Sequence, residues 1–208
     1  MGKPLILLDR DGVLNRVVVD PEQGTVDSPL HPSQVTLLPG VAEALARLTA
    51  AGYGLAVVTN QPAWAKKKTT LANLEAVHAI VLAEATRLGG RILSSHLCLH
   101  RSEDGCACRK PKPGLLSEAF AHNPSYDPGG SWMVGDGVTD VQAGAALGLQ
   151  TAFLGPRKCD ACKIMEQRNA HPTCWVADLA AFTTHLLGGS ETSHGNSHEE
   201  KLACQGLR

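Results

Sequence analysis

The sequence predicts an α/β fold, a Rossmann-like doubly wound parallel sheet, and three observations predict it. Short unbroken apolar runs recur at Leu5-Ile6-Leu7-Leu8, Leu55-Ala56-Val57-Val58 and Trp132-Met133-Val134, the pattern of strands buried on both faces. Between them lie stretches with helical periodicity: Val41, Leu45 and Leu48, and then Leu71, Leu74, His78, Val81, Ala85 and Leu88. Each apolar run gives way to polar residues, and in open α/β sheets the crevice beyond the carboxyl ends of the strands is where ligands collect.

The bulk properties narrow the class. At 208 residues and 43% hydrophobic content the chain is long enough to bury a substantial core as one domain. Residues 1–187 are expected to form it, and 188–208, rich in Ser, Gly, His, Asn and Glu, to be a disordered tail with His194 and His198 solvated. A net charge of -1 provides no field that would draw the chain to nucleic acid or an anionic membrane. No run approaches the roughly 20 apolar residues that span a bilayer, and no charged region precedes an apolar signal core. A cytoplasmic monomer is expected. Seven cysteines, three crowded into residues 98 to 108, favour metal binding over a disulfide framework.

Taken in order, the first strand ends in Asp9 and Asp11, spaced i, i+2, with Gly12 allowing a sharp turn beyond them. Two close carboxylates repel, which raises a pKa or recruits a hard cation such as Mg²⁺, and a carboxylate can also attack phosphorus. The same residues also suit a plain Asp/Gly surface turn. Residues 16–39 carry four Pro and little periodicity and read as a long loop. Pro39-Gly40 opens a helix that Gly52 closes, and Leu55–Thr59 is a second strand, delivering Thr59, Asn60 and Gln61 to the same edge as Asp9. A hydroxyl and two amides can donate to phosphate oxygens, although ordinary loops carry the same residues. Lys66, Lys67 and Lys68 stand ahead of a helix over Thr70–Leu88, either as an attraction for phosphate or as a solvated face. His78 on that helix reads as a packed histidine, because no second ligand accompanies it at helical spacing.

Gly89-Gly90 closes this helix, and a third strand, Ile92–Leu99, leads into Cys98, His100, Cys106 and Cys108. Three thiolates and an imidazole can close a tetrahedral Zn²⁺ site with no position left for water, as in a structural centre; free or disulfide-bonded cysteines are the alternative. Directly after stand Arg109 and Lys110, stiffened by Pro111 and Pro113, two cations suited to a doubly charged phosphate or to a basic surface turn. A helix over Leu115–Phe120 and a loop over 122–130 follow. The strand Trp132–Val134 then runs into Asp136, which can complete a Mg²⁺ shell, and Asp140, which buttresses that shell or caps the next helix. That helix continues through Ala143–Leu147 to Gly148. Strands at Thr151–Leu154 and Trp175–Val176 and a helix over Asp178–Leu187 complete the order, with Cys159, Cys162 and Cys174 read as free thiols.

D-R-D-G-V-L-N at 9–15 resembles motif I of the haloacid dehalogenase superfamily of phosphatases. Thr59-Asn60-Gln61, Lys110 and G-D-G-V-T-D at 135–140 resemble motifs II, III and IV in the right order. The C-x-H, C-x-C and R-K-P-x-P-G block resembles the zinc-bearing histidinol-phosphatase-like branch, most closely its heptose 1,7-bisphosphate phosphatases. The resemblance implies a haloacid dehalogenase fold without a separate cap domain, stapled by a zinc loop. It implies Asp9 as nucleophile and Asp11 as general acid/base, with Thr59 and Lys110 neutralising the phosphoryl oxygens. Asn60 and Gln61 would adjoin the substrate and Arg109 its distal part. Mg²⁺ would be held by Asp9, Asp136 and the Asp11 backbone carbonyl, and structural Zn²⁺ by Cys98, His100, Cys106 and Cys108.

The substrate so implied is a heptose bisphosphate; histidinol phosphate, another small sugar phosphate and a 3'-phosphorylated nucleic-acid end are alternatives. A zinc-stapled binding module with an inactive site is the reading from a different class. Two departures from the family pattern bear on substrate: Pro62-Ala63-Trp64-Ala65 follows Gln61 where relatives carry Ser-Gly and Ala-Arg-Gly, and Gly137 stands where they tend to carry Lys.

Overall fold

Strand β1 (Lys3–Leu8) lies at the centre of a six-stranded sheet, and Leu5, Ile6, Leu7 and Leu8 are fully buried because strands flank both its edges and helices cover both its faces. The structure is a computed structural model that describes residues 3–188 apart from Pro21, Gln23 and Lys158. Of the tail expected over residues 188–208, all but Gly188 lies outside the described residues.

The remaining sheet strands are β4 (Gly54–Asn60), β5 (Ile92–Cys98), β6 (Tyr126–Gly135), β7 (Gln150–Leu154) and β8 (Cys174–Val176), after a small ribbon of β2 (Val18–Asp20) and β3 (Thr25–Asp27). Their order is β5-β4-β1-β6-β7-β8, parallel throughout. The helices are α1 (Val41–Ala50), α2 (Leu71–Thr86), α3 (Gly114–His122), α4 (Val138–Ala146), α5 (Cys159–Gln167) and α6 (Leu179–Leu187).

Alternation along the strands sends Ile6, Leu8, Leu55 and Val57 to one face, where Val41, Leu45 and Leu48 of α1, Val81 and Ala85 of α2 and Phe182 of α6 cover them. Leu5, Leu7, Ala56 and Val58 point the other way, against Leu115, Leu116 and Ala119 of α3 and Ala143 of α4. Each fully buried aliphatic side chain of this kind contributes roughly 1.5–3 kcal/mol of transfer free energy. Helices α2 and α6 start on ordinary caps: Thr70 Oγ1 accepts from Asn73 N at 3.1 Å, and an Asp178 carboxylate oxygen accepts from Ala181 N at 2.8 Å.

Register sets the working edge. Leu8 pairs with Val57 on one side and Val134 on the other, so Asp9, Thr59 and Asp136 emerge together at the carboxyl end of the sheet. The sheet order reverses beside β1, between β4 and β6, and that is where such folds open a crevice.

Four local expectations need correction. Residues 16–39 contain the β2–β3 ribbon, which turns at Gly24 with φ 63°, and a 3₁₀ turn at Pro32–Gln34. Val19 and Val26 are 61% and 62% exposed, so the ribbon buries no alternating face for a periodicity reading to detect. The strand at Trp132 begins earlier, because Tyr126 and Asp127 already pair with Lys3 and Pro4 before a register shift across the Pro-Gly-Gly stretch. The interval between β7 and β8 holds α5, whose Met165 packs with Val141 and Phe153. On α2 the buried stripe is Leu74, Val77, Val81 and Ala85, while Leu71 and Leu88, at the helix start and beyond its end, are exposed.

Candidate active site

Asp9 stands one residue past β1, anchored by its own N–H, which donates to Val134 O at 2.9 Å. The Lys110 ammonium lies 3.1 Å from Asp9 Oδ1 and 2.6 Å from Asp140 Oδ1, and it donates a hydrogen bond to Val58 O at 2.8 Å. The Asp140 contact is an ion pair off the hydrogen-bonding direction. Lys110 is only 2% exposed. Burial alone would lower its pKa, but Asp140 and Asp9 outweigh that and hold it above the usual lysine range, so it stays charged.

Asp9, Asp136 and Asp140 bring carboxylate oxygens within 4.8 Å of one another. Burial, then the neighbouring charges of Asp9 and Asp140, push Asp136 up to about 7. Asp140 rises to about 6 by burial, against the pull of Lys110. Three carboxylates against one ammonium leave an excess of negative charge, the donor set a hard divalent cation satisfies. Gly12, at φ 81°, leaves the space into which Asp136 reaches, because a Cβ there would collide with the Asp136 carboxylate. Asp140 also accepts from Gly137 N at 3.0 Å and so fixes the turn that carries Asp136.

Asp11 sits apart from that cluster. Its Oδ1 accepts from Asn15 Nδ2 at 2.8 Å, its Oδ2 from Arg10 Nη2 at 3.0 Å and from Gln61 Nε2 at 2.5 Å. Four donors, counting Arg10 Nε, hold the carboxylate in one orientation. Its side chain is therefore not gathered with the metal-type oxygens, and only its backbone carbonyl is left for an ion.

At the end of β4, Thr59 Oγ1 is buried and accepts from Gln61 Nε2 at 3.0 Å. Gln61 is itself buried and joins Thr59 to Asp11. Asn60 clamps the peptide of Lys110, its Nδ2 donating to Lys110 O and its Oδ1 accepting from Lys110 N, both at 3.1 Å. The two amides thus act on neighbouring protein groups: one orients Asp11, the other holds the lysine loop at the edge of β4.

Arg109 donates from Nη1 to His100 O at 3.2 Å and lines a cleft of about 350 Å³ with Asn60, Lys110, Arg101, Thr139 and Arg168. Next to it the four cysteine-loop residues converge as the spacing requires. Cys98 Sγ lies 3.7 Å from Cys106 Sγ, 3.2 Å from Cys108 Sγ and 3.6 Å from His100 Nδ1. Ligand atoms around a tetrahedral ion with bonds of about 2.3 Å stand about 3.8 Å apart, so the set is close to the size of a Zn²⁺ shell. Burial pushes the Cys98 thiol up to about 12, and a thiolate there is stable only beside a cation. Lys112 Nζ donates to Gly105 O at 2.6 Å and Cys106 O at 2.9 Å, holding the loop on its basic exit. Cys162 and Cys174 are free thiols.

Lys68 pairs with Asp27 at 2.7 Å, and Lys66 and Lys67 are exposed beside it, which places the lysine run against the β2–β3 ribbon. His78 is packed, its Nε2 3.0 Å from Ser95 Oγ. The sequence reading did not single out Arg10, Asn15 or Arg168. Arg10 and Asn15 stand inside the motif I string, and a cation between two acids was the one available signal.

A family model described as HAD-hydrolase-like matches residues 107–182. The D-glycero-beta-D-manno-heptose-1,7-bisphosphate 7-phosphatase of Pseudomonas aeruginosa is 36% identical over 187 residues, 90% of this chain and 99% of that protein. The alpha-heptose counterpart from Mycobacterium tuberculosis is 33% identical over 137 residues, 66% of this chain and 69% of that protein. Among solved structures, D,D-heptose 1,7-bisphosphate phosphatase from B. bronchiseptica, complexed with magnesium and phosphate, superposes with a TM-score of 0.74 at 32% identity. That superposition covers 90% of this chain and 99% of the other. No helix among the described residues is long and apolar enough to cross a membrane. A likeness of this degree along the whole length of known phosphatases, meeting strand-end motifs that share one sheet edge, places the chain among the haloacid dehalogenase-like phosphatases, in the family of the D-glycero-D-manno-heptose-1,7-bisphosphate 7-phosphatases.

Proposed function

We propose that the chain removes the 7-phosphate of D-glycero-D-manno-heptose 1,7-bisphosphate in a Mg²⁺-dependent reaction through an aspartyl-phosphate, with residues 1–187 as the catalytic unit. The observation that carries the reading is the Asp9 carboxylate at the end of the central strand, held against the Lys110 ammonium and facing Asp136. An Asp9 oxygen attacks phosphorus, the bond from phosphorus to the sugar oxygen breaks, and protonated Asp11 gives its proton to the departing oxygen. Asp11, now a carboxylate, takes a proton from water as that water attacks the aspartyl-phosphate. The Asp9 oxygen leaves phosphorus, inorganic phosphate is released, and Asp9 and Asp11 return to their starting protonation states. Arg10, Asn15 and Gln61, which donate to the Asp11 carboxylate, hold it in place to take the proton from water in the second step.

Mg²⁺, held by Asp9, Asp136 and the Asp11 carbonyl, supplies neutralisation of the phosphoryl oxygens. Thr59 and Lys110 add hydrogen bonding and charge from the protein side. Zn²⁺ on Cys98, His100, Cys106 and Cys108 keeps the loop before Arg109 ordered. Arg109, with Arg101 and Arg168 around the same cleft, receives the 1-phosphate. Arg168 shares that cleft with Thr139, two residues from Gly137, and supplies the cation that Gly137 lacks. The full-length likeness to the Pseudomonas enzyme favours the β anomer.

The test is phosphate release from both anomers of the bisphosphate and from histidinol phosphate, with and without Mg²⁺, by wild type and Asp9→Asn. The expected result is highest kcat/KM on the β-bisphosphate, no turnover without Mg²⁺, and none in Asp9→Asn, where an amide replaces the nucleophile. Preferred turnover of histidinol phosphate overturns the substrate, and substantial turnover by Asp9→Asn overturns the mechanism.

A further inference from the structure

On the α3 face of the sheet, the edge strand β5 carries a second group of ligand-type side chains. His96 and Cys98 are two apart on β5 and so share a face, the one covered by Leu115, Leu116 and Ala119 of α3. Glu118 and His122 stand four apart on α3, on one stripe of the helix. One ligand atom from each of His96, Glu118 and His122 lies within 4.8 Å of the others. His96 Nδ1 is 3.3 Å from Glu118 Oε1, and the two imidazoles face each other tilted by 56° with centroids 5.0 Å apart.

The remaining ring nitrogens are occupied in the way metal-ligating histidines require. His96 Nε2 is 3.0 Å from Ser94 Oγ, which leaves Nδ1 turned to Glu118. His122 Nδ1 is 3.0 Å from Glu118 O, which leaves Nε2 free to ligate. A partner on the second nitrogen fixes ring orientation and tautomer and raises the basicity of the first. Ser94 Oγ in turn accepts from Asn123 Nδ2 at 2.8 Å, and the same Asn123 amide donates to Ala119 O at 2.7 Å, so the strand and the helix end are tied together behind the group. The His96 side chain is 4% exposed, whereas Glu118 is 51% exposed. One ligand is thus preset by packing, and the open side admits an ion and water.

We propose that His96, Glu118 and His122 form a second metal site, separate from the four-ligand cysteine cluster, which takes a borderline divalent transition metal such as Zn²⁺ with water in the remaining position. Two imidazoles and one carboxylate suit Zn²⁺ and its neighbours in the series and are a poor match for Mg²⁺, which prefers oxygen donors. Bound there, the ion cross-links β5 to the last turn of α3, on the strand that ends in Cys98.

The experiment is zinc uptake by the full-length protein as purified, gel-filtered to remove loose metal and then dialysed to equilibrium against micromolar free Zn²⁺. Wild type is compared with His122→Ala and Glu118→Gln. Both side chains are exposed, and α3 tolerates both substitutions, which circular dichroism checks. Wild type is expected to take up one equivalent more than His122→Ala at the same free zinc, and Glu118→Gln to need about tenfold or more higher zinc for half-uptake. Added Zn²⁺ is also expected to raise the melting temperature of wild type and not that of His122→Ala. Equal uptake by wild type and His122→Ala overturns the site and leaves an ordinary polar contact between His96 and Glu118.

Discussion

Replacing Gly12 by Ala tests the geometry of the candidate centre at its tightest point. Two separate costs arise. Gly12 has φ 81°, a conformation that costs a residue bearing a Cβ about 1–2 kcal/mol. For a chain of this size that corresponds to a fall in melting temperature of about 2–8 °C. The added Cβ also lands on the Asp136 carboxylate, far inside the 3.4 Å of ordinary contact, and the carboxylate must retreat. Displacement of a catalytic group by about an ångström costs roughly 10²-fold in rate. If Asp136 shares the Mg²⁺ with Asp9, the Mg²⁺ concentration for half-maximal activity rises as well. Gly52→Ala is the control, because Gly52 has φ 89° with nothing within 4 Å of its would-be Cβ, so it carries the strain without the collision. Melting curves and Mg²⁺ titrations of kcat/KM on both variants separate the two costs. Should Gly12→Ala keep kcat/KM within about threefold of Gly52→Ala with unchanged Mg²⁺ dependence, Asp136 has no part in the centre.

Lys110→Met is expected to lower kcat/KM by on the order of 10²-fold or more, and to destabilise by roughly 3–5 kcal/mol because Asp140 is left buried without its partner. Arg109→Ala, by contrast, should mainly raise KM on the bisphosphate; a larger loss of kcat in Arg109→Ala than in Lys110→Met contradicts the assigned roles. One zinc per chain bound by the cysteine loop is expected to disappear in the Cys106→Ser, Cys108→Ser double variant, and elemental analysis showing unchanged zinc rejects that ligand set. His78 is lowered from 6.5 to about 4 by burial and then by Arg10, and its Nδ1 is buried without a hydrogen-bond partner. The unfolded chain therefore binds the proton first, and stability is lost as pH falls from 6.5 toward 4, by about 2 kcal/mol at pH 5. Urea unfolding from pH 7.5 to 5 should show that share of the loss in wild type and not in His78→Gln; equal slopes would count against it.

Much of the architecture was legible because it is written in short-range pattern. Leu5–Leu8 and Leu55–Val58 are apolar without interruption because each strand is covered on both faces, and residues two apart on a strand end must emerge at the sheet edge. The convergence of the cysteine loop was legible for a similar reason, since a loop that short cannot keep Cys98, His100, Cys106 and Cys108 far apart. The β2–β3 ribbon escaped because it exposes Val19 and Val26 and so leaves no alternating apolar face, and α5 escaped because its nine residues are polar on average and it packs on the core through Met165. The pairings that decide the chemistry also lay outside the sequence. Lys110 finds Asp9 and Asp140, Gln61 finds Asp11, and Asn60 finds the Lys110 peptide across separations of 30 to 101 residues. Gln61 and Asn60 look like substrate donors in the linear chain and become struts once β4 is set beside β1. Spacing determines which residues reach the edge; which of them face each other there is decided by strand order and register, because only the assembled sheet brings distant segments within hydrogen-bonding distance.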